Sequence, residues 1–310
     1  MRLSFIKCHG SGNDFPLVDA RALALSDAEW AAAARALADR AGPVGGDGLL
    51  LLTEGGDGCA FGMRMFNSDG SEAETCLNGL RCVARAGFEA LGLRRARVKL
   101  RTSEAEVARD AALAFGVYTV EERAGPAGLD VRAWPMRLGV ERIVDAAVPL
   151  LSGALRFTAV AMPNPHLVCF TRVDEAELVR VGLICEAAPE WLPERANVSF
   201  VEVRAGGLFV RTHERGVGLT DACGSAMAAS AVAAGLTGRI PFGTGFTVWN
   251  RGGPVKARAD EDLVVTLSGN ATFEWEGEFD METRELTVLR RYDDEVAAWN
   301  AALREPLVTS

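Results

Sequence analysis

Short runs of alternating apolar and polar residues, broken by glycine, proline and asparagine clusters, recur along most of this chain, and the pattern predicts many short strands. LSFIK near the start is one strand, and HGSGNDF after it is a glycine-rich loop. Helical spacing first runs from about Ser26 to Arg40, where Ser26 and Glu29 fit a capping box and Gly42 suits the end. LLLLT and FGMRMF are strands, as are VKLRT and LAFGVYTV. EERAGPAG, Glu121–Gly128, is the best linker, a polar stretch packed with glycine and proline. Strand patterns follow at VRAWPMRL, LRFTAVAM, HLVCF, NVSFVEV, LFVRTHE, FTVWN, VKARA, LVVTLSG and ATFEWEGEF. The tail from about Glu282 to Ser310 ends in a charged amphipathic helix around DDEVAAWNAALRE.

Two further helices run from about Cys76 to Leu91, stopping near Gly92, and from about Cys223 to Ala234, ending near Gly235. Both follow several strands and a polar, glycine-bearing turn. Both are rich in small apolar residues, which let a helix lie close against a surrounding sheet. The halves repeat a plan without repeating a sequence, and this predicts an internal duplication. In each half the cysteine stands where unpaired N–H groups and the positive end of the helix dipole favour a thiolate. Two such thiols in matching contexts suit a reaction that needs an acid and a base on opposite faces of one carbon.

The 310 residues suffice for one large domain or two of moderate size. A net charge of −9 without any long basic block excludes nucleic acid as a partner. No apolar stretch reaches the length of a membrane helix, and none near the start resembles a signal peptide, so no membrane partner and a cytoplasmic location are expected. Seven cysteines in such a chain read as thiols, not as a disulfide framework. There is no CxxC pair and there are three histidines, so no metal site is expected. PVGGDG has neither the Walker nor the dinucleotide spacing, and no nucleotide cofactor is expected. SFIK matches SxxK by chance, since Ser4 and Lys7 point to opposite faces of a strand.

Cysteine ordinarily serves as a small buried hydrophobe, and Cys8, Cys59, Cys82, Cys169 and Cys185 fit that role. Asparagine gives a second signal: Asn13, Asn67, Asn78, Asn164 and Asn197 stand mostly in loops or at element ends. Turn chemistry explains any one of them. Five together resemble a pocket that reads ammonium and carboxylate groups with neutral amides. Arg215 is the candidate guanidinium for a carboxylate, with Glu214 beside it for an ammonium; a surface ion pair is the alternative. His166, in MPNPHLV, is either structural or near a site.

In order along the chain, HGSGNDF, FNSDGSEAETCLNGLRC, MPNPH, NVSF, ERGVGLTDACGS and LSGNATFEWEGEF resemble the motifs of the diaminopimelate epimerases, cofactor-independent racemases of lysine biosynthesis. The resemblance implies an α/β (α+β) fold of two pseudo-symmetric domains, each a mostly antiparallel mixed sheet curled around a central helix. It implies a division into 1–126 with 276–310, carrying Cys76, and 127–275, carrying Cys223, with one catalytic cysteine on each side of a cleft. By motif position Asn13, Asn67, Leu77, Asn78, Asn164, Asn197, Glu214, Arg215, Gly224 and Ser225 take substrate-binding places, and His166 stands next to the site. No cofactor and no metal are implied; the partner is a small amino-acid substrate, and a homodimer is compatible with the resemblance.

The sequence departs from the family pattern at Leu77, where glycine is usual, at Gly48, where glutamine is frequent, at Ala226 in CGSAM, and in a longer tail. Leucine keeps the backbone N–H but adds bulk, and Gly48 is expected to leave a gap in the pocket. The implied reaction is inversion at Cα of LL-diaminopimelate by one thiolate base and one thiol acid. Another amino acid as substrate, a fold relative without cysteine chemistry, and a thiol redox switch remain the alternatives.

Overall fold

The computed structural model describes residues 1–304 except 74, 75, 135 and 163. Among the described residues the chain forms two compact units, one of residues 1–122 and 268–304 and the other of residues 123–267. In chain order the first unit holds β1 (Arg2–Gly10), β2 (Asn13–Asp19), α1 (Asp27–Leu37), β3 (Gly48–Gly56), β4 (Cys59–Asn67), β5 (Glu72–Ala73), α2 (Leu77–Leu91), β6 (Arg95–Lys99), β7 (Glu104–Arg109) and the start of β8 (Thr119–Ala124). The second holds β9 (Ala146–Val148), β10 (Ser152–Ala161), β11 (Pro165–Cys169), α3 (Glu175–Glu186), β12 (Asn197–Arg204), β13 (Gly207–Glu214), β14 (Gly218–Thr220), α4 (Gly224–Leu236), β15 (Phe246–Asn250), β16 (Gly253–Ala259) and the first half of β17 (Val265–Asn270). The chain then returns to the first unit with β18 (Thr272–Asp280), β19 (Leu286–Arg291) and α5 (Asp293–Arg304).

The duplication is present pair for pair. β1/β2, β3/β4, β4/β5 and β6/β7 are antiparallel, while β2/β3 and β4/β6 are parallel. β10/β11, β12/β13, β13/β14 and β15/β16 repeat the antiparallel set, and β11/β12 and β13/β15 the parallel set. A helix lies at each parallel step, as a crossover requires. α2 packs against β1, β2, β3, β4, β6 and β7, and α4 against β10, β11, β12, β13, β15 and β16, so each is wrapped by its own sheet.

That enclosure explains the composition. Every α2 residue from Asn78 to Phe88 is buried, and nearly every α4 residue to Ala234. Leu49 and Leu51 pack on α1 with Trp30 and Leu37, while Leu50 and Leu52 pack on α2 with Leu80 and Val83. A strand covered on both faces reads as a continuous apolar run. Ser26 and Glu29 form the expected capping box. Gly92 ends α2 at φ 67°, the left-handed conformation that suits glycine.

Several expectations change. HGSGNDF is a hairpin whose two-residue tip, Ser11 and Gly12, has φ 52° and 83°, so His9, Asn13 and Asp14 belong to strands. α1 ends at Ala38, before Gly42. Half of the expected linker, Glu121–Ala124, is strand, and of LAFGVYTV only Thr119 and Val120 are. VRAWPMRL, expected as a strand, holds a 3₁₀ turn over Val131–Ala133, and Val131, Trp134 and Met136 are buried core residues. α3, β5, β7, β9, β14 and β19, and β2 past the HGSGNDF loop, are elements beyond the predicted set. α3 has a weak apolar stripe, and its signal is the cap of Asp174 on the Glu177 N–H at 2.8 Å. The tail helix forms to Arg304, and the expected remainder, 305–310, lies outside the described residues.

Gly87 sits where a Cβ would stand 2.6 Å from the buried Phe61 ring. Gly87→Val is therefore expected to lower stability by about 1–3 kcal/mol or more through overpacking. Urea unfolding measures it; an unchanged midpoint would contradict the tight enclosure of α2.

Candidate active site

In each unit a cysteine is the N-cap of the enclosed helix. Cys76 (φ −147°, ψ 107°) and Cys223 (φ −135°, ψ 104°) share one backbone conformation. The N–H groups of Leu77 and Asn78, and of Gly224 and Ser225, lie in first turns, where helix geometry supplies no acceptor.

In the first unit, half-buried Cys76 accepts from the Gly79 N–H at 3.4 Å and donates to Asn13 Oδ1 at 3.6 Å. Asn13 opens β2, and its Nδ2 donates to Asp47. Arg40 reaches Asp14 at 2.6 Å and Asp47 at 2.7 Å, and Lys7 donates to Asp14 and to the Gly45 carbonyl. Burial works against the charge on Asp14, but Arg40 and Lys7 outweigh it and hold the carboxyl below its ordinary range. Asn67 ends β4, and its Nδ2 donates to Ser71 Oγ at 2.9 Å. Asn78 is buried, its Oδ1 taken by Arg81 at 2.7 Å. Arg81, fully buried, also binds Ser11 Oγ at 3.1 Å, Asn270 O at 3.2 Å and Glu122 at 2.7 Å. Burial pushes Glu122 up to about 7 against the pull of Arg81.

In the second unit Cys223 is buried, with Ser225 Oγ 3.5 Å from its sulphur. Burial and then the Glu214 charge push this thiol up, while Ser225 and the Ala226 N–H pull it back. Glu214 ends β13 and accepts from Thr220 at 2.6 Å. Asn164 Oδ1 lies 3.0 Å and Ser225 Oγ 3.1 Å from His166 Nε2, and Asn197 Nδ2 lies 3.5 Å from the same atom. The buried Nδ1 of His166 has no partner among the described residues. An orphaned N–H costs more than an orphaned lone pair, so the proton belongs on Nε2, donated to Asn164. Asn197 opens β12 and accepts from the Arg215 N–H at 2.9 Å, and Arg215 Nη1 rests on the Glu194 carbonyl at 3.0 Å. Gly216 follows at φ 76°, its N–H on Glu186 at 2.8 Å.

Within each unit the expected residues converge at the N-terminus of the enclosed helix. Asn13, Cys76, Leu77 and Asn78 do so in the first, while Asn67 bonds Ser71; Asn164, His166, Asn197, Glu214, Arg215, Cys223, Gly224 and Ser225 do so in the second. The gap expected at Gly48 is not the reason for that glycine, since a Cβ there would stand 2.4 Å from the Phe66 carbonyl. Lys7, Asp14, Arg40 and Asp47 were invisible as site residues. Only Lys7, a charge inside an apolar strand pattern, carried a signal.

No group of His, Cys, Asp or Glu among the described residues could hold a metal ion. Among the described residues no helix is long and apolar enough to cross a membrane.

A duplicated α/β unit of this kind defines a class of fold shared with solved structures. A hydroxyproline epimerase from Agrobacterium vitis superposes with a TM-score of 0.61 at 12% identity, covering 98% of this chain and 98% of its own. The diaminopimelate epimerase family model matches residues 5–112 and 158–277. A diaminopimelate epimerase of Listeria monocytogenes is 37% identical, covering 93% of this chain and 91% of the relative. One of Enterococcus faecalis is 40% identical, covering 88% and 87%. The chain belongs to the diaminopimelate epimerase family.

Burial pushes His166 down to about 3 and His9 to about 4. Each folded value lies below the ordinary 6.5, so the unfolded chain binds more protons in that window. Stability present above about pH 6.5 is lost as pH falls towards these values. Urea midpoints across this range should decline, and His166→Gln should flatten the decline; an unaltered slope would show that His166 is not held neutral.

Proposed function

We propose that this protein is a cofactor-independent epimerase that inverts Cα of LL-diaminopimelate to the meso form, with Cys76 and Cys223 as its two proton carriers. The observation that carries the reading is the repeated N-cap cysteine, one per enclosed helix, in a chain of this family. One cysteine, as thiolate, takes the Cα proton: the C–H bond breaks and an S–H bond forms. The other gives its S–H proton to the opposite face, so the two sulphurs exchange protonation states. First-turn N–H groups of α2 and α4 offer donors to the α-carboxylate as carbanion charge develops. Leu77 presents its N–H as glycine would. Asn13, Asn67, Asn78, Asn164, Asn197, Glu214 and Arg215 read the ammonium and carboxylate groups, and Asn164 with His166 orients Ser225. The reading is of a cytoplasmic enzyme of lysine and peptidoglycan precursor synthesis.

A second substrate is favoured by one feature, the Leu77 side chain at the first position of α2. A different amino acid would then be inverted by the same two thiols.

NMR of LL-diaminopimelate with the enzyme in D₂O should show deuterium entering Cα with inversion. Cys76→Ala and Cys223→Ala should each lower turnover by at least about 10²–10⁴-fold, since each face needs its own carrier. Near-wild-type turnover by either variant would end the two-base reading. Leu77→Gly should keep or raise kcat/KM for LL-diaminopimelate. A wild-type protein inert toward it but active on another amino acid would transfer the assignment to the second reading.

A further inference from the structure

Arg215 stands in a tight turn, Glu214 to Val217, and each N–H after the first residue has an acceptor. The Val217 N–H closes the turn on the Glu214 carbonyl at 3.2 Å. Gly216, at φ 76°, takes the third position, where a type II turn favours glycine. The Arg215 N–H goes to Asn197 Oδ1 at 2.9 Å, and the Gly216 N–H to Glu186 Oε2 at 2.8 Å. Glu186 comes from outside the turn, as the last residue of α3. A negative charge is unfavourable at a helix C-terminus, so the helix itself gives no reason for a glutamate there. α3 is pressed on the strand that leads into the turn: a Cβ on Gly182 would stand 2.2 Å from the His213 ring. The other oxygen, Glu186 Oε1, accepts Arg195 Nη1 at 2.7 Å. Arg195 follows Glu194, whose carbonyl accepts Arg215 Nη1 at 3.0 Å. Arg195 has φ 59°, the left-handed region that is costly for a residue with a Cβ, so its segment needs a hold from outside.

We propose that Glu186 is a positioning residue whose two oxygens hold both segments that fix Arg215, and so aim its guanidinium at a substrate carboxylate. One oxygen holds the turn through the Gly216 N–H. The other holds the Glu194 carbonyl in place through Arg195. The Glu194 carbonyl takes one of the five donors of a guanidinium, so it orients the group without consuming it. A carboxylate can accept at both of its oxygens. An amide of the same shape has one oxygen, and its NH₂ would face a donor. The role therefore needs glutamate and is not met by glutamine.

The aim at a carboxylate rests on the reading of Arg215 as a substrate-binding residue, whereas the hold on the turn does not, so two measurements separate them. Hydrogen exchange followed by mass spectrometry compares the wild type with Glu186→Gln. The amides of residues 215–217 should exchange about tenfold faster in the variant, as the loss of one charge-assisted hydrogen bond requires, with those of β11 unchanged. No difference at 215–217, or a gain that spreads to β11, would overturn the proposal. Kinetics with LL-diaminopimelate read the aim. Glu186→Gln should raise KM about tenfold. Adding it to Arg215→Ala should raise KM no further, because no guanidinium is left to position. If Glu186 acted through its charge alone, removing that charge would favour a carboxylate and lower KM. An unchanged or lowered KM, or an additive rise, would each overturn the proposal. A wild type inert toward LL-diaminopimelate would count against the proposed function, and the exchange measurement would then decide on Glu186 by itself. If Glu186→Gln does not fold, Arg195→Met withdraws the exposed partner of the same carboxylate, and exchange at 215–217 must again rise; unaltered exchange there overturns the proposal as well.

Discussion

A helix enclosed by a sheet can offer its unpaired backbone groups only at its ends, and that constraint organises this protein. α2 and α4 are buried along most of their length, so their side chains are small or apolar apart from bonded Asn78, Arg81 and Arg85 of α2 and Ser230 of α4, and their strands close around them. What remains is the first turn, with N–H groups that lack acceptors and a dipole that favours negative charge. Both units place a cysteine at that point. The strand ends beside it then bring Asn13 to one thiol and Glu214 to the other, with Asn164 and Asn197 beside His166.

The two copies have kept the scaffold and diverged in how they anchor it. Under α2 the anchor is ionic. Arg81 is wholly buried and ties the helix to Ser11, Glu122 and Asn270, with Gly269 leaving room where a Cβ would stand 2.6 Å from the guanidinium. Breaking such a pair strands a buried charge and costs about 3–5 kcal/mol, although forming it stabilises little. The anchor therefore specifies position more than it adds stability. In the second unit the hydrogen bonds of His166 with Asn164 and Ser225 do the corresponding work without a net charge. A neutral imidazole there is a consequence of burial.

Much of this was legible along the chain. The capping box at Ser26, the caps at Cys76 and Cys223, and the stop at Gly92 are local signals, and each forms as expected. The four leucines of β3 read as a strand because both of its faces are covered. VRAWPMRL misled because an irregular turn can send apolar residues into the core, and a short apolar-rich run does not distinguish such a turn from a strand. α3 escaped because its apolar stripe is weak and its cap lies in a run of charges.

The sequence by itself determined the duplicated plan, the two thiol caps and the family, because helix starts, turn residues and motif spacing are properties of neighbours in the chain. Only the tertiary structure decided that Asp47 faces Asn13, that Arg81 is buried against Glu122, and that Gly48 is a glycine because the Phe66 backbone passes beside it. Those contacts join residues far apart in the chain. A lone Asp, Arg or Gly has no periodicity, and its role depends on what the fold brings within hydrogen-bonding or van der Waals reach.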